Sequence, residues 1–189
     1  MPPPSTFNAQ DDLQRQKNEE LLESVEEGNV PAASTVLEVG ASIDKAINAN
    51  GCTALHIACH RGDTKMLAFL LTWKPDLEVR TKLLKITPLH AAINSKSADC
   101  VSLLLDAGAD FESQTDTGER PVHLAIRRTD IEILKLLLRR GANSDAPAPC
   151  IWDSQIPRTP QEMAEQLPAM LCEQVLNVFE GGDGRPTQI

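Results

Sequence analysis

The chain has 189 residues, 41% hydrophobic and 24% charged, which suits one self-sufficient domain and excludes wholesale disorder. Eighteen Lys and Arg stand against 27 Asp and Glu, a net charge of −9, which argues against nucleic acid and anionic membranes as partners. No apolar run approaches the roughly 20 residues that cross a bilayer, the opening residues lack the basic flank and apolar stretch of a secretory signal, and aromatic residues are only 3%, with no Tyr. Five cysteines at 52, 59, 100, 150 and 172, an odd number without a CxxC pair, predict reduced thiols and an intracellular location, cytoplasmic or nuclear.

The charge is unevenly spread. Residues 1–44 carry nine acids and two bases, residues 45–145 twelve acids and fourteen bases, and residues 146–189 six acids and two bases. A mildly basic middle between two acidic ends suits a stacked architecture whose terminal units must face water.

In chain order, residues 1–17 are expected as a flexible tail or a helix lead-in. Leu21, Leu22 and Val25 then mark an acidic amphipathic helix in a first unit of about 18–45, closed by Gly40-Ala41-Ser42. Three tetrapeptides follow in register: Thr53-Ala54-Leu55-His56, Thr87-Pro88-Leu89-His90 and Arg120-Pro121-Val122-His123, with histidines 34 and 33 residues apart. Each opens a helical pattern and is followed by a second apolar run at i, i+3, i+4 spacing. The runs are Met66 to Leu71, Cys100 to Leu105 and Ile131 to Leu138; Gly108-Ala109-Asp110 and Gly141-Ala142-Asn143 end the last two. These units span 46–79, 80–112 and 113–145. A degenerate fifth unit, 146–180, contains Thr159-Pro160, Met163 and Ala164 after a longer loop around Cys150 and Trp152, and a last helix from Ala169 to Phe179. Residues 181–189 are expected as a flexible tail.

The motifs TALHIA, TPLHAA and RPVHLA, recurring at this period, resemble the ankyrin repeat. The resemblance implies an all-α solenoid of about five stacked helix-turn-helix units with short hairpin loops. Thr53 and Thr87 cap first helices and Pro88 and Pro121 open them, Ala58, Ala92 and Ala125 allow close helix approach, and His56, His90 and His123 brace neighbouring loops. Two departures stand out. Lys74-Pro75 replaces Gly-Ala, so that helix end is expected to differ, and unit three has Lys96 where unit two has Gly62. Unit three also lacks the hairpin glycine found at Gly51 and Gly118, so its hairpin is expected to be distorted.

The Cys52, His56, Cys59 and His60 cluster has residue types that zinc favours. The repeat signature accounts for His56 and the core for Cys59, so no metal or cofactor is expected. No nucleophile-base-orienter set, phosphate loop or HExxH occurs, and a non-catalytic protein is the reading.

The resemblance places partner contacts on the hairpin tips and on the concave face of the first helices. On this chain the candidates are Asn50, His60, Arg61, Leu83, Ile86, Asn94, Asp116, Glu119, Arg127 and Arg128. Arg61, Arg127, Arg128, Leu83 and Ile86 are expected to dominate. The expected function is a protein-interaction module or adaptor acting as a monomer, with a stoichiometric enzyme inhibitor as the alternative. Asp44, Glu78, Glu112 and Asp145 form an acidic ladder at steps of 34, 34 and 33; it is read as turn hydrogen bonding before a docking edge. Trp152 is read as part of the cap before a binding anchor.

Overall fold

The computed structural model describes residues 9–147, 159–165 and 167–179. The Cys150–Trp152 loop and the tail at 181–189 lie outside them. Among the described residues ten α-helices follow in chain order: α1 (Ala9–Glu26), α2 (Val30–Glu38), α3 (Ala54–Arg61), α4 (Thr64–Leu71), α5 (Pro88–Asn94), α6 (Ala98–Asp106), α7 (Pro121–Arg127), α8 (Ile131–Arg139), α9 (Pro160–Glu165) and α10 (Ala169–Phe179). They pack as five pairs. The odd-numbered helices form one layer and the even-numbered helices a second. Helix α1 has 18 residues against 8 for α3; it runs through the lead-in segment into the first unit.

The core lies between the layers. Ala58, Ala92 and Ala125 are each fully buried, as are Leu67, Leu70, Leu104, Leu134 and Leu137. Burying each leucine contributes about 1.5–3 kcal/mol, and the alanines let the helices of a pair approach. The second helices begin at Asn29, Asp63, Ser97 and Asp130, whose side chains accept the backbone N–H three residues on. Such caps satisfy donors that a helix start leaves free.

The signature histidines brace the stack. Thr53 donates its backbone N–H to His56 Nδ1 at 3.1 Å, and the Thr53 hydroxyl lies 2.9 Å from the same nitrogen. The other ring nitrogen, Nε2, donates to the carbonyl of Ile86 in the next unit at 2.9 Å. His123 repeats the arrangement with the Arg120 N–H and the Ala146 carbonyl. His90 differs. Its Nδ1 takes the Thr87 N–H, but Nε2 faces the backbone of Glu119 and Ser113 without the geometry of a hydrogen bond. In the neutral Nε2–H tautomer each ring accepts from its own cap, and those of His56 and His123 donate to a neighbour.

The departures at glycine positions leave the left-handed backbone in place. Lys74, Lys85, Lys96 and Thr129 adopt φ of 51, 52, 57 and 54°, matching left-handed glycines at the equivalent places in other units. Lys74 thus takes the conformation of Gly108, but α4 ends differently, as expected: Pro75 has no N–H, so the bond that Ala109 donates to the Leu104 carbonyl after α6 has no counterpart there. The unit-three hairpin also differs, and the difference is one residue. Thr81 N–H bonds the Ile86 carbonyl, five residues on, where Asn48 bonds Cys52 and Thr115 bonds Glu119, each four residues on.

A non-glycine residue at positive φ carries roughly 1–2 kcal/mol of strain. Lys96→Gly and Thr129→Gly are therefore expected to stabilise the chain by about 0.5–1 kcal/mol each, after the entropy of the freer unfolded chain. Gly51→Ala is expected to destabilise it, because the added Cβ would meet Lys82 Cγ at 2.9 Å and Lys82 N at 3.0 Å. Urea midpoints at unchanged m-value check all three. Burial lowers the pKa of His56, and lowers those of His90 and His123 to about 4, against about 6.5 unfolded. Between those values only the unfolded chain takes up the protons. Stability is thus full above pH 6.5 and falls on acidification by up to about 1.4 kcal/mol per pH unit per histidine. Urea unfolding between pH 7 and 5 reads that slope, and a flat profile would contradict it.

Candidate functional site

The acidic ladder is the first constellation the fold resolves. Asp44 Oδ1 accepts the Asp76 N–H at 2.9 Å, Glu78 Oε1 the Asp110 N–H at 2.9 Å, and Glu112 Oε1 the Asn143 N–H at 2.7 Å. Each bond joins one long loop to the next. At the front, Asn18 of α1 supplies the same bond to the Ser42 N–H at 2.9 Å. Within the loops Asp76, Asp110 and Asn143 cap the N–H two residues on. Burial raises the pKa of Glu78, with Asp110 and Asp76 adding to the shift and the Asp110 N–H bond opposing it. Three of the four ladder carboxylates thus accept bonds between units, where the sequence predicts bonds within their own turns. Asp145 accepts the Ser144 hydroxyl at 3.4 Å within its own loop.

The Cys-His cluster divides in the same way. Both nitrogens of His56 are occupied, and Cys59 is fully buried, its thiol pKa pushed up by burial. His60 is exposed on α3. Among the described residues no group of three or more His, Cys, Asp or Glu is placed to hold a metal ion.

The concave face is formed by the C-terminal ends of the first helices, and the hairpin tips stand beside it. Asn50, His60, Arg61, Leu83, Asp116 and Arg128 are exposed there. The remaining candidates are placed differently. Ile86 is half-buried against the core, and its carbonyl takes the His56 bond; its neighbour Leu84 is the exposed one, at 54%. Glu119 is buried and accepts from Arg127 Nη2 at 3.1 Å. Burial raises the Glu119 pKa, and the Arg127 cation and its hydrogen bond oppose that rise. Arg128 donates through Nε and Nη2 to Asn94 Oδ1 at 3.0 and 2.8 Å, tying α7 to the half-buried Asn94 of α5. Ser95 donates to the Cys59 carbonyl at 2.7 Å. The sequence analysis missed Leu84, whose signal was its place beside Leu83 at the tip, and missed the part of Arg127 as partner to a buried acid.

Two family models describing ankyrin repeats match residues 22–71 and 74–148. The chain belongs to the ankyrin repeat family. It is 33% identical over 62% of its length to the mouse B-cell lymphoma 3 protein homolog, covering 27% of that protein. It is 29% identical over 67% of its length to dog Inversin, covering 12% of it. It is 28% identical over 67% of its length to a putative ankyrin repeat protein of fowlpox virus, covering 29% of it. The chain thus spans less than a third of each of these relatives. Ankyrin repeats are in general protein-protein interaction modules, and among the described residues no helix is long and apolar enough to cross a membrane.

Part of this face of the ankyrin repeat chain is thus taken up by bonds between its own residues. Arg127→Ala leaves the Glu119 carboxylate buried without its cation, and a loss of about 1–2 kcal/mol is expected at pH 7, discounted for the half-exposed arginine. In that variant Glu119 is easier to protonate folded than unfolded, so the deficit narrows as pH falls toward 5. Thermal unfolding at both pH values, beside Arg127→Ala/Glu119→Gln, checks this.

Proposed function

We propose that the chain is a non-catalytic module that binds partner proteins through its hairpin tips and the concave face of its first helices. The observation that carries this reading is the cationic end of the first-helix layer. The large apolar side chains of α4, α6 and α8 fill the core, while His60, Arg61 and Arg128 stand exposed at equivalent ends of α3 and α7. The backbone beneath them is cross-braced from unit to unit. Side chains fixed before encounter lose little entropy on binding. The chain acts as a monomer inside the cell, where Cys52, Cys59, Cys100 and Cys172, all unpaired in the structure, stay reduced.

Arg61→Glu combined with Arg128→Glu tests the surface. Both arginines are exposed, so the melting temperature is expected to move by no more than a few degrees. Capture of partner proteins from a native lysate, read by mass spectrometry, is expected to drop for this variant. It should persist for Lys65→Glu on α4. Equal capture by all three proteins would overturn the assignment to the concave face.

A further inference from the structure

The tip of the unit-three hairpin breaks the local rules at one place and in several ways. It is one residue longer than its neighbours. The residues there are Lys82-Leu83-Leu84-Lys85, where the flanking tips carry Ala49-Asn50-Gly51 and Asp116-Thr117-Gly118. Leu83 is 78% and Leu84 54% exposed. A single exposed leucine is ordinary; an adjacent pair on a protruding tip is a small apolar patch.

This patch is not loose chain. Lys82 N–H donates to the Asn50 carbonyl at 3.0 Å on one side, and Asp116 N–H donates to the Leu84 carbonyl at 3.1 Å on the other. The Thr81 hydroxyl accepts the Ile86 N–H at 3.0 Å at the base of the hairpin. Lys82 lies across Gly51, and its Nζ donates to the Ala49 carbonyl at 3.1 Å. Both edges of the tip are thus occupied, so a partner cannot add as a strand and must meet the side chains. Lys85 holds φ +52° where glycine stands in the neighbouring tips. Strain kept at an exposed position, where glycine would relieve it, points to a use for the side chain.

The charge decides what fits. Two lysines flank the leucines, and across the three tips the one acid is Asp116. The cations on either side of an apolar pair match carboxylates on either side of an apolar side chain. A membrane surface fits less well, because the patch is two residues wide and the whole chain carries −9.

From this juxtaposition of an exposed, edge-pinned Leu83-Leu84 pair with Lys82 and Lys85, we infer that the unit-three tip docks a short peptide segment of a partner protein, an apolar side chain flanked by Asp or Glu. The inference rests on the interaction-module reading above and narrows it to one contact.

The test uses the full chain as bait for a displayed library of short random peptides, with the affinities of the selected peptides measured by fluorescence anisotropy. The selected sequences are expected to converge on an apolar residue between acidic ones and to bind more weakly as salt rises. Leu83→Ser/Leu84→Ser is expected to weaken binding by about tenfold or more at unchanged melting temperature. Lys85→Gly is expected to weaken it about threefold while raising the melting temperature by about 2–4 °C, a combination that loss of fold cannot produce. Lys65→Gln on α4, outside the proposed binding surface, is expected to leave peptide affinity unchanged. The tip assignment is overturned if no peptide is enriched, if the consensus is not acidic, or if the serine variant binds as the wild type does. It is also overturned if vesicles of phosphatidylserine and phosphatidylcholine sediment the wild type and not the serine variant, since the tip would then be a membrane contact. Peptides lost with Arg61→Glu/Arg128→Glu alone would overturn the tip while leaving the interaction-module reading in place. Failure of the lysate capture for every variant would remove that broader reading separately.

Discussion

Neighbouring units of this chain are held in register by one kind of bond, a backbone N–H of one long loop donated to a side chain of the unit before. Asp44, Glu78 and Glu112 each accept such a bond, and Asn18 accepts its like within the first unit. A lone unit would expose the apolar faces of both its helices, so every unit needs a neighbour at a fixed distance and angle. Leucine packing supplies the driving force but is tolerant of small slides. The loop bonds are more exacting, because a shift by one residue would break each of them, at the modest cost of an exposed hydrogen bond. The histidine bridges from His56 to Ile86 and from His123 to Ala146 do the same on the hairpin side. Between these two lines of bonds the helices have little freedom to shear.

That arrangement explains why the fold was legible and the surface less so. Equal spacing of His56, His90 and His123 announces the repeat, because the same bridge is needed in each unit at the same place. The buried alanines and leucines follow from periodicity alone. The acids of the ladder were visible as a series, and their spacing was the same signal as the histidines' spacing, a bond recurring once per unit. Residues on the concave face were harder to assign. The sequence shows Arg127, Arg128, Asn94 and Glu119 as separate polar residues, whereas the stack brings Arg127 to Glu119 and Arg128 to Asn94. Such pairings cross units, and no local pattern encodes them. Ile86 and Leu84 exchanged places for a similarly non-local reason: the extra residue in the hairpin rotates which side chain faces out.

The pairings also change what the concave face can offer. An arginine already bonded to an acid must give up that bond, or share it, before it serves a partner. Among the described residues no carboxylate pairs with Arg61, and Arg128 bonds the neutral amide of Asn94 while its charge also favours the Glu119 carboxylate. The basic character of this face is therefore graded, with Arg127 belonging more to the frame than to the surface.

Lys74, Lys85 and Lys96, with their left-handed backbones, all lie within or beside the third unit. In a stack where each unit is supported by its neighbours alone, local strain is not shared along the chain. At each of these places the chain keeps a long cationic side chain where glycine would hold the same backbone without strain. The third unit and its borders therefore lean on what their neighbours supply, the buried leucines on one side and the loop and histidine bonds on the other.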